Sequence, residues 1–473
     1  MFWLGREDSN PYKQLQRLPS CRWTTPQSST LNFLRYKILC NEVNIIATKQ
    51  VICSVLYFLM RFIADLHIHS KYSRATSRDL EPESLWRWAQ LKGITVIGTG
   101  DFTHPLWLKE LKDKLEPCGN GLFTLRSELT NRDVGEVPEL CKADVFFMLT
   151  AEISCIYSKN GRVRKIHAIV LVPSFEDAER INRALSGIGN LKADGRPILG
   201  LDAKSLLDIV IHESPEGMLV PAHAWTPHFS VFGAHSGFDS LKECFEELTP
   251  YIYAIETGLS SDPPMNWRLS ALDPITLISN SDAHSSAKIG REANVFDAEV
   301  SYPDMINALK TRKGFAGTLE FFPEEGKYHY DGHRVCGVSL APAETVKHAY
   351  LCPVCGKKVT VGVMHRVEDL ADRKEGFRPA GSPRYQSVIP LPEIISEVLK
   401  VGAGSKAVRG TYWRLLQKLG NEFTILMKTR LDDIERAESE RLREAVAKVR
   451  AGDIYIVPGY DGEFGKIRLS RSP

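Results

Sequence analysis

Seven short apolar runs, most of them closing on a histidine or an acid, limit what this chain can become. "FIADLHIHS" closes at His67 and His69, and "ITVIGTGD" closes at Asp101 with His104 just beyond. "VFFMLTAEIS" carries Glu152, and "KIHAIVLVP" carries His167. "MLVPAHAW" ends at His223, "YIYAIETG" at Glu256, and "ITLISNSDAH" at Asp282 and His284. Alternate side chains of a strand share a face. Asp65, His67 and His69 are therefore expected to project together, opposite Leu66 and Ile68. Segments of helical character, such as "PESLWRWAQLKG" and "FEDAERINRALSG", separate many of the runs. Strands alternating with helices predict βα units and a mostly parallel sheet. Seven of them predict a closed or nearly closed βα barrel, with its chemistry at the C-terminal strand ends. One link differs: Asn160-Gly161 lies between two strand-like runs and predicts a β-hairpin.

A lone histidine at a strand end is ordinarily a hydrogen-bonded core or surface residue. Histidines and acids at the ends of several strands, all expected on one rim, point instead to metal ions. Imidazole with carboxylate suits zinc, manganese or iron. A rim of this size would hold two or three ions, with bridging carboxylates. Such a cluster activates water and clamps a phosphoryl group during an in-line displacement.

The net charge of +2 on 473 residues favours no class of partner, so any basic surface must be local. The ten cysteines are scattered, and the tight pair Cys352-Pro-Val-Cys355 predicts metal binding in a reducing compartment rather than a disulfide framework. The apolar stretch Val51–Met60 is too short to span a bilayer and lacks a signal-peptide cleavage site. A cytoplasmic protein with no membrane partner is expected. Residues 1–59 are polar and without a clear period, and are expected to be a disordered or mis-annotated extension, with Met60 as the initiator. Four segments follow: this extension, a barrel over 60–325, a metal-binding module over 326–366 and a mainly helical C-terminal domain over 367–473.

"DLHIHS", "GTGD", "AEIS", "PAHAW" and "SNSDAH" resemble motifs of the polymerase and histidinol phosphatase (PHP) superfamily. The resemblance implies a distorted (β/α)7 barrel with a multi-metal phosphoesterase site. It implies that His67, His69, Glu152 and Asp282 surround one ion, with Glu152 bridging to a second. His167, His223 and His284 are the candidates for the remaining positions. It also makes Asp282, Glu152 and His223 the candidate catalytic residues. The chain lacks the further histidine many members carry after the HxH motif, and has Asp101-Phe102 where many have Asp-His. Asp101 or His104 is left to fill that position, unless fewer than three ions bind.

Beyond the barrel, Cys352-x-x-Cys355-Gly reads as a zinc knuckle, and His333-x-x-Cys336 supplies the second pair of a closed tetrahedral structural site. His329 and His348 are competing neighbours. The turn Gly402–Ser405 joins two amphipathic helices, where Lys406 and Arg409 are candidates for a backbone phosphate. An ordinary solvated connection fits these residues equally well.

"WTPHFSVFGAHSGFDS", "VMHRVEDLADR" and "PGYDGEFGKI", with the barrel motifs and this domain order, resemble the endonuclease Q family of PHP-type DNA repair enzymes. The resemblance runs from about Met60 to near the C-terminus. It implies nicking on the 5′ side of deaminated bases (uracil, hypoxanthine, xanthine) or abasic sites, in single- or double-stranded DNA. It also implies two or three divalent ions (Zn, Mn or Mg) and one structural zinc. No Walker loop is present, which argues against a P-loop motor. The loop after His223 is the expected DNA-facing wall: Trp225, His228, Phe232 and His235 suit stacking and backbone contact. Lys71, Arg74 and Arg78 are further phosphate candidates. A phosphatase of small phosphomonoesters and a non-catalytic DNA-binding scaffold are the competing readings. The zinc and helical modules argue against the first, and the intact ligand set against the second.

Overall fold

The computed structural model describes residues 61–130 and 136–469; the N-terminal extension and Met60 lie outside them. All seven apolar runs form strands: Arg61–Asp65, Val96–Gly98, Phe146–Lys159, Arg162–Val172, Met218–Pro221, Ala254–Glu256 and Thr276–Ile278. The first three pair in parallel. Phe146–Lys159 then turns back on Arg162–Val172 as the expected hairpin, with Asn160 and Gly161 at φ 54° and 70°. That pair of positive φ values suits the tight hairpin turn for which Asn-Gly is favoured. Arg162–Val172 pairs antiparallel with Met218–Pro221, while Ala254–Glu256 and Thr276–Ile278 form a parallel ladder of their own.

The mostly parallel sheet of the sequence reading is thus a mixed one. A two-residue turn cannot make a parallel crossover, so the hairpin imposes two antiparallel neighbours. On its other side, the first strand pairs antiparallel with Ala293–Asp297, which pairs in turn with Phe315–Glu320. Past the strand ends, backbone contacts continue the circuit. Ala224 N donates to Glu256 O at 2.9 Å, and Ile68 bridges Ala283 in parallel. These links bring the loops that carry the strand-end histidines and acids to one place.

Helices pack on the outside of the sheet. Ser174 caps Phe175–Ser186 and Asp202 caps Ala203–Glu213, each accepting a main-chain N–H from the first turn. Leu85, Trp107, Leu111, Ile181 and Val210 bury the inner helix faces. The C-terminal helices, from Leu391–Leu399 to Glu440–Ala451, have their own core of Ile394, Leu415, Ile434 and Val446. They are tied to the sheet region through a buried ion pair: Lys92 Nζ lies 2.7 Å from Glu422 Oε2. Glu422 also accepts from Tyr412 Oη and Leu391 N, so neither charge is left without a partner.

Two motifs without a clear role in the sequence act as struts. In "VMHRVEDLADR", His365 donates from Nδ1 to Asp331 at 2.6 Å, and Arg366 donates to the carbonyls of Phe232 and Phe238. In "PGYDGEFGKI", Asp461 accepts from Arg334 N and Thr360 Oγ1. One motif braces the loop after His223, and the other braces the cysteine-bearing module.

Candidate metal centre

His67 and His69 lie just past the end of the first strand, on the loop that bridges Ala283. Asp65 does not join them. It turns away to accept from Ser281 N, Ser281 Oγ and Gly290 N, and burial raises its carboxyl pKa to about 6. Glu152 sits within its long strand, whereas His223, Asp282 and Asp101 occupy tight strand-end turns at φ 28°, 46° and 50°. Such left-handed angles are uncommon for residues with a side chain, and they cluster at functional sites.

Two groups of ligand atoms result. His67, His69, Glu152 and Asp282 form the first, and Glu152, His167 and His223 the second, so Glu152 belongs to both. His69 Nε2 lies 3.0 Å from Asp282 Oδ1 and 3.3 Å from Glu152 Oε2. Glu152 Oε1 lies 2.7 Å from His167 Nδ1 and 2.9 Å from His223 Nε2. His67 Nε2 is buried without a hydrogen-bond partner, 3.6 Å from Glu152 Oε2 and 3.7 Å from Asp282 Oδ1. Two ligands that each sit about 2 Å from one zinc stand roughly 3–3.5 Å apart. An orphaned imidazole nitrogen facing two carboxylates at such spacings fits a divalent ion.

Further carboxylates orient the imidazoles from behind. His67 donates from Nδ1 to Glu256, at 3.0 Å from each oxygen, which aims Nε2 inward. Glu256 also accepts from His223 N and Asn280 Nδ2. Asp101 does the same for His69 at 3.1 Å, and accepts from Ser70 and Ser73 besides. This pattern fixes tautomer and ring plane at metal sites. Burial disfavours protonated His67, but Glu256, Glu152 and Asp282 outweigh it and hold its pKa well above the usual histidine range. Burial also opposes ionised Glu152, yet His167 and His67 keep it well below the carboxylate norm.

The remaining expected ligands stand elsewhere. Asp101 is a support for His69 rather than a member of either group, because its oxygens are taken up by His69, Ser70 and Ser73. His104 is stacked on Tyr72 with ring centroids 4.4 Å apart, outside both groups. His284 is partly exposed at the rim, with its ring 4.7 Å from that of His69 and Nδ1 bonded to Asp282 O.

The expected DNA-facing wall divides. Trp225 and Phe232 are core residues, each about 1% exposed and packed together at 4.8 Å, with Trp225 Nε1 donating to Asn266. Burying two large rings is worth more than presenting them to solvent, and this corrects the reading that placed them against DNA. Phe232→Ala is therefore expected to lower unfolding stability by about 3–5 kcal/mol, the usual range for a buried phenylalanine. Denaturant titration checks it; an unchanged midpoint would return Phe232 to the surface. His228 and His235 do remain exposed, stacked at 4.5 Å. Lys71 is engaged by Glu81 and Glu110, and Arg74 by Asp194, while Arg78 is exposed. Lys406 is exposed in the first turn of Lys406–Leu419, whose N-cap is Ser405.

Arg196 was not singled out in the sequence. It donates to Glu152 Oε2 at 2.9 Å and brings a cation to the carboxylate common to both groups. The only local signal is Asp194-Gly195-Arg196-Pro197, a turn-forming run. Gly195 is needed there, because a Cβ would collide with Asp101 Oδ2 and Ser73 Oγ.

In the cysteine module, the ligand atoms of His333, Cys336, Cys352 and Cys355 converge. Cys355 Sγ is 3.6 Å from His333 Nδ1. His329 is instead buried against Tyr330, and His348 ends the helix Pro342–Lys347.

A family model described as the MJ0043 C-terminal domain matches residues 390–453. The uncharacterized protein YqxK of Bacillus subtilis is 30% identical over 433 residues, covering 87% of this chain and 100% of its own length. The uncharacterized protein MJ0043 of Methanocaldococcus jannaschii is 32% identical over 253 residues, which are 52% of this chain and 31% of that protein. This chain thus spans about a third of MJ0043. The crystal structure of the lesion-specific endonuclease PfuEndoQ of Pyrococcus furiosus superposes with TM-score 0.76 at 30% identity, covering 87% of this chain and 96% of that one. Endonuclease Q in complex with a 27-mer duplex carrying an abasic lesion at the active site superposes with TM-score 0.74 at 30% identity, covering 87% and 97%.

Proposed function

This chain belongs to the endonuclease Q family, and on that premise we propose that it is a metal-dependent DNA endonuclease. Its substrate is a phosphodiester on the 5′ side of a deaminated base or an abasic site. The observation that carries this reading is the pair of ligand groups joined at Glu152, with the orphaned Nε2 of His67 facing two carboxylates. We assign His67, His69, Glu152 and Asp282 to one ion, and Glu152, His167 and His223 to a second. His284, whose ring lies 4.7 Å from that of His69, remains available at the rim. Zinc, manganese and magnesium are the candidate ions, with a separate structural zinc on His333, Cys336, Cys352 and Cys355. The circuit of strands around the centre is read as the PHP barrel.

When bound, the ions supply Lewis acidity to the phosphate and activate water for in-line attack. The protein's own groups do the rest. Glu256 and Asp101 hold His67 and His69 in the tautomer that turns Nε2 inward. Arg196 reaches Glu152 from a partly exposed position, and once Glu152 is committed to ions its guanidinium can turn to the scissile phosphate. Such a planar fork suits phosphate oxygens. Reading a deaminated base requires access to its pairing edge, which an extruded nucleotide offers. The stacked pair His228–His235 is the exposed ring surface of the loop that begins at His223, and we assign it to the DNA-facing wall. Lys406, at a helix N-terminus, is assigned to a backbone phosphate.

The test is a nicking assay. Purified protein is given end-labelled duplexes with one uracil, one hypoxanthine, one abasic site or no lesion, with Mg²⁺ or Mn²⁺, beside Asp282→Ala. The expected result is a cut immediately 5′ of the lesion, absent from undamaged duplex and from the variant. Folded, metal-loaded protein that cuts no DNA but hydrolyses a chromogenic phosphomonoester would overturn the proposal.

A further inference from the structure

The helix Pro105–Lys114, the helix Phe175–Ser186 and the loop that follows it enclose an open groove of about 1010 Å³. Its cations are unevenly matched. Lys109, Arg183 and Lys192 are exposed and have no ion pair among the described residues. The one acid in its lining, Glu179, is engaged by Lys112. Asn182 and Asn190 add amides, and no aromatic ring lines it.

The groove shares a wall with the metal centre. Thr103, in the groove, lies two residues after Asp101, which supports His69. Thr103 Oγ1 donates to Gly195 O at 3.2 Å, and the next residue, Arg196, holds Glu152. The loop carrying Lys192 therefore runs from the groove directly to the ligands.

We propose that this groove is the track for the sugar–phosphate backbone of the strand being cut, on one side of the scissile bond. The proposal rests on the endonuclease reading above. Three unpaired cations spread over two helices and a loop match successive phosphates rather than a single anion. A lining without aromatic rings suits backbone contact, since base stacking needs a π-face. The volume is far larger than one phosphate requires.

Phosphate contacts show in salt dependence, about 0.9 in the logarithmic slope for each phosphate neutralised. The experiment uses the full chain with its metals and a duplex bearing one abasic site, and measures nicking kinetics over a range of salt. Lys109→Gln, Arg183→Gln and Lys192→Gln are combined in one variant. A control variant carries Lys242→Gln, Lys313→Gln and Arg162→Gln, the same change of charge on exposed residues outside the groove. The groove variant is expected to raise KM roughly tenfold and to flatten the salt slope of kcat/KM by about 2–3. The control is expected to keep the wild-type slope. If the groove variant keeps both the wild-type KM and slope, the track is wrong while the endonuclease reading stands. If the control flattens the slope equally, the effect is general charge and the track is wrong again. If the wild type itself nicks no lesion-bearing DNA, the endonuclease reading fails first, and the track falls with it.

Discussion

Glu152→Gln is expected to lower nicking of lesion-bearing DNA by on the order of 10³-fold, about 4 kcal/mol in the barrier. No other residue belongs to both ligand groups. The amide keeps the size of the side chain but removes the charge. His67, His69, His167 and His223 all face this one carboxylate, and Arg196 is bonded to it. The loss should therefore appear in metal content as well as in rate. Elemental analysis of the purified variant is expected to show fewer bound ions, with an unchanged far-ultraviolet circular dichroism spectrum. Glu256→Gln makes a graded comparison. Glu256 only orients His67 and His223 from behind, and loss of such a support typically costs 10–100-fold in affinity or activity. Equal metal content and equal nicking in Glu152→Gln would refute the shared-carboxylate assignment.

Cys352→Ser is expected to cost the protein one equivalent of zinc and the order of its cysteine module. Cys352 is about 1% exposed and packs with Leu340 and Val359 in a core too small to stand without a cross-link. Structural zinc contributes on the order of 10 kcal/mol to the folding of such small modules. The effect should spread beyond the module. Tyr350, two residues before Cys352, bonds His365, and the adjacent Arg366 holds the main chain of the loop after His223 at Phe232 and Phe238. Limited proteolysis is expected to cut Cys352→Ser within residues 334–358 while the sheet region resists, and lesion nicking is expected to fall as well. A variant that retains all its zinc and resists protease would show that these four residues do not form the site.

The chain's own order of residues determined where the strands lie and which candidate ligands they deliver. A short, continuous apolar run records its own burial, and a histidine or acid at its end stays at that end however the sheet closes. For the same reason the Asn160-Gly161 hairpin and the His333–Cys355 cluster were legible: each depends on short-range spacing. The tertiary structure decided what depends on distant partners. Trp225 and Phe232 look like a recognition wall beside His223, but rings of that size go to whichever site excludes the most water, and Asn266 supplies the polar partner that Trp225 needs. Asp101 reads as a ligand until Ser70 and Ser73 occupy its oxygens. Lys71 reads as a free cation until Glu81 and Glu110 close on it. Arg196 lies 44 residues from Glu152 in an unremarkable turn. Periodicity reports what a residue faces within its own element, whereas charge pairing and burial are settled by what the fold brings from elsewhere.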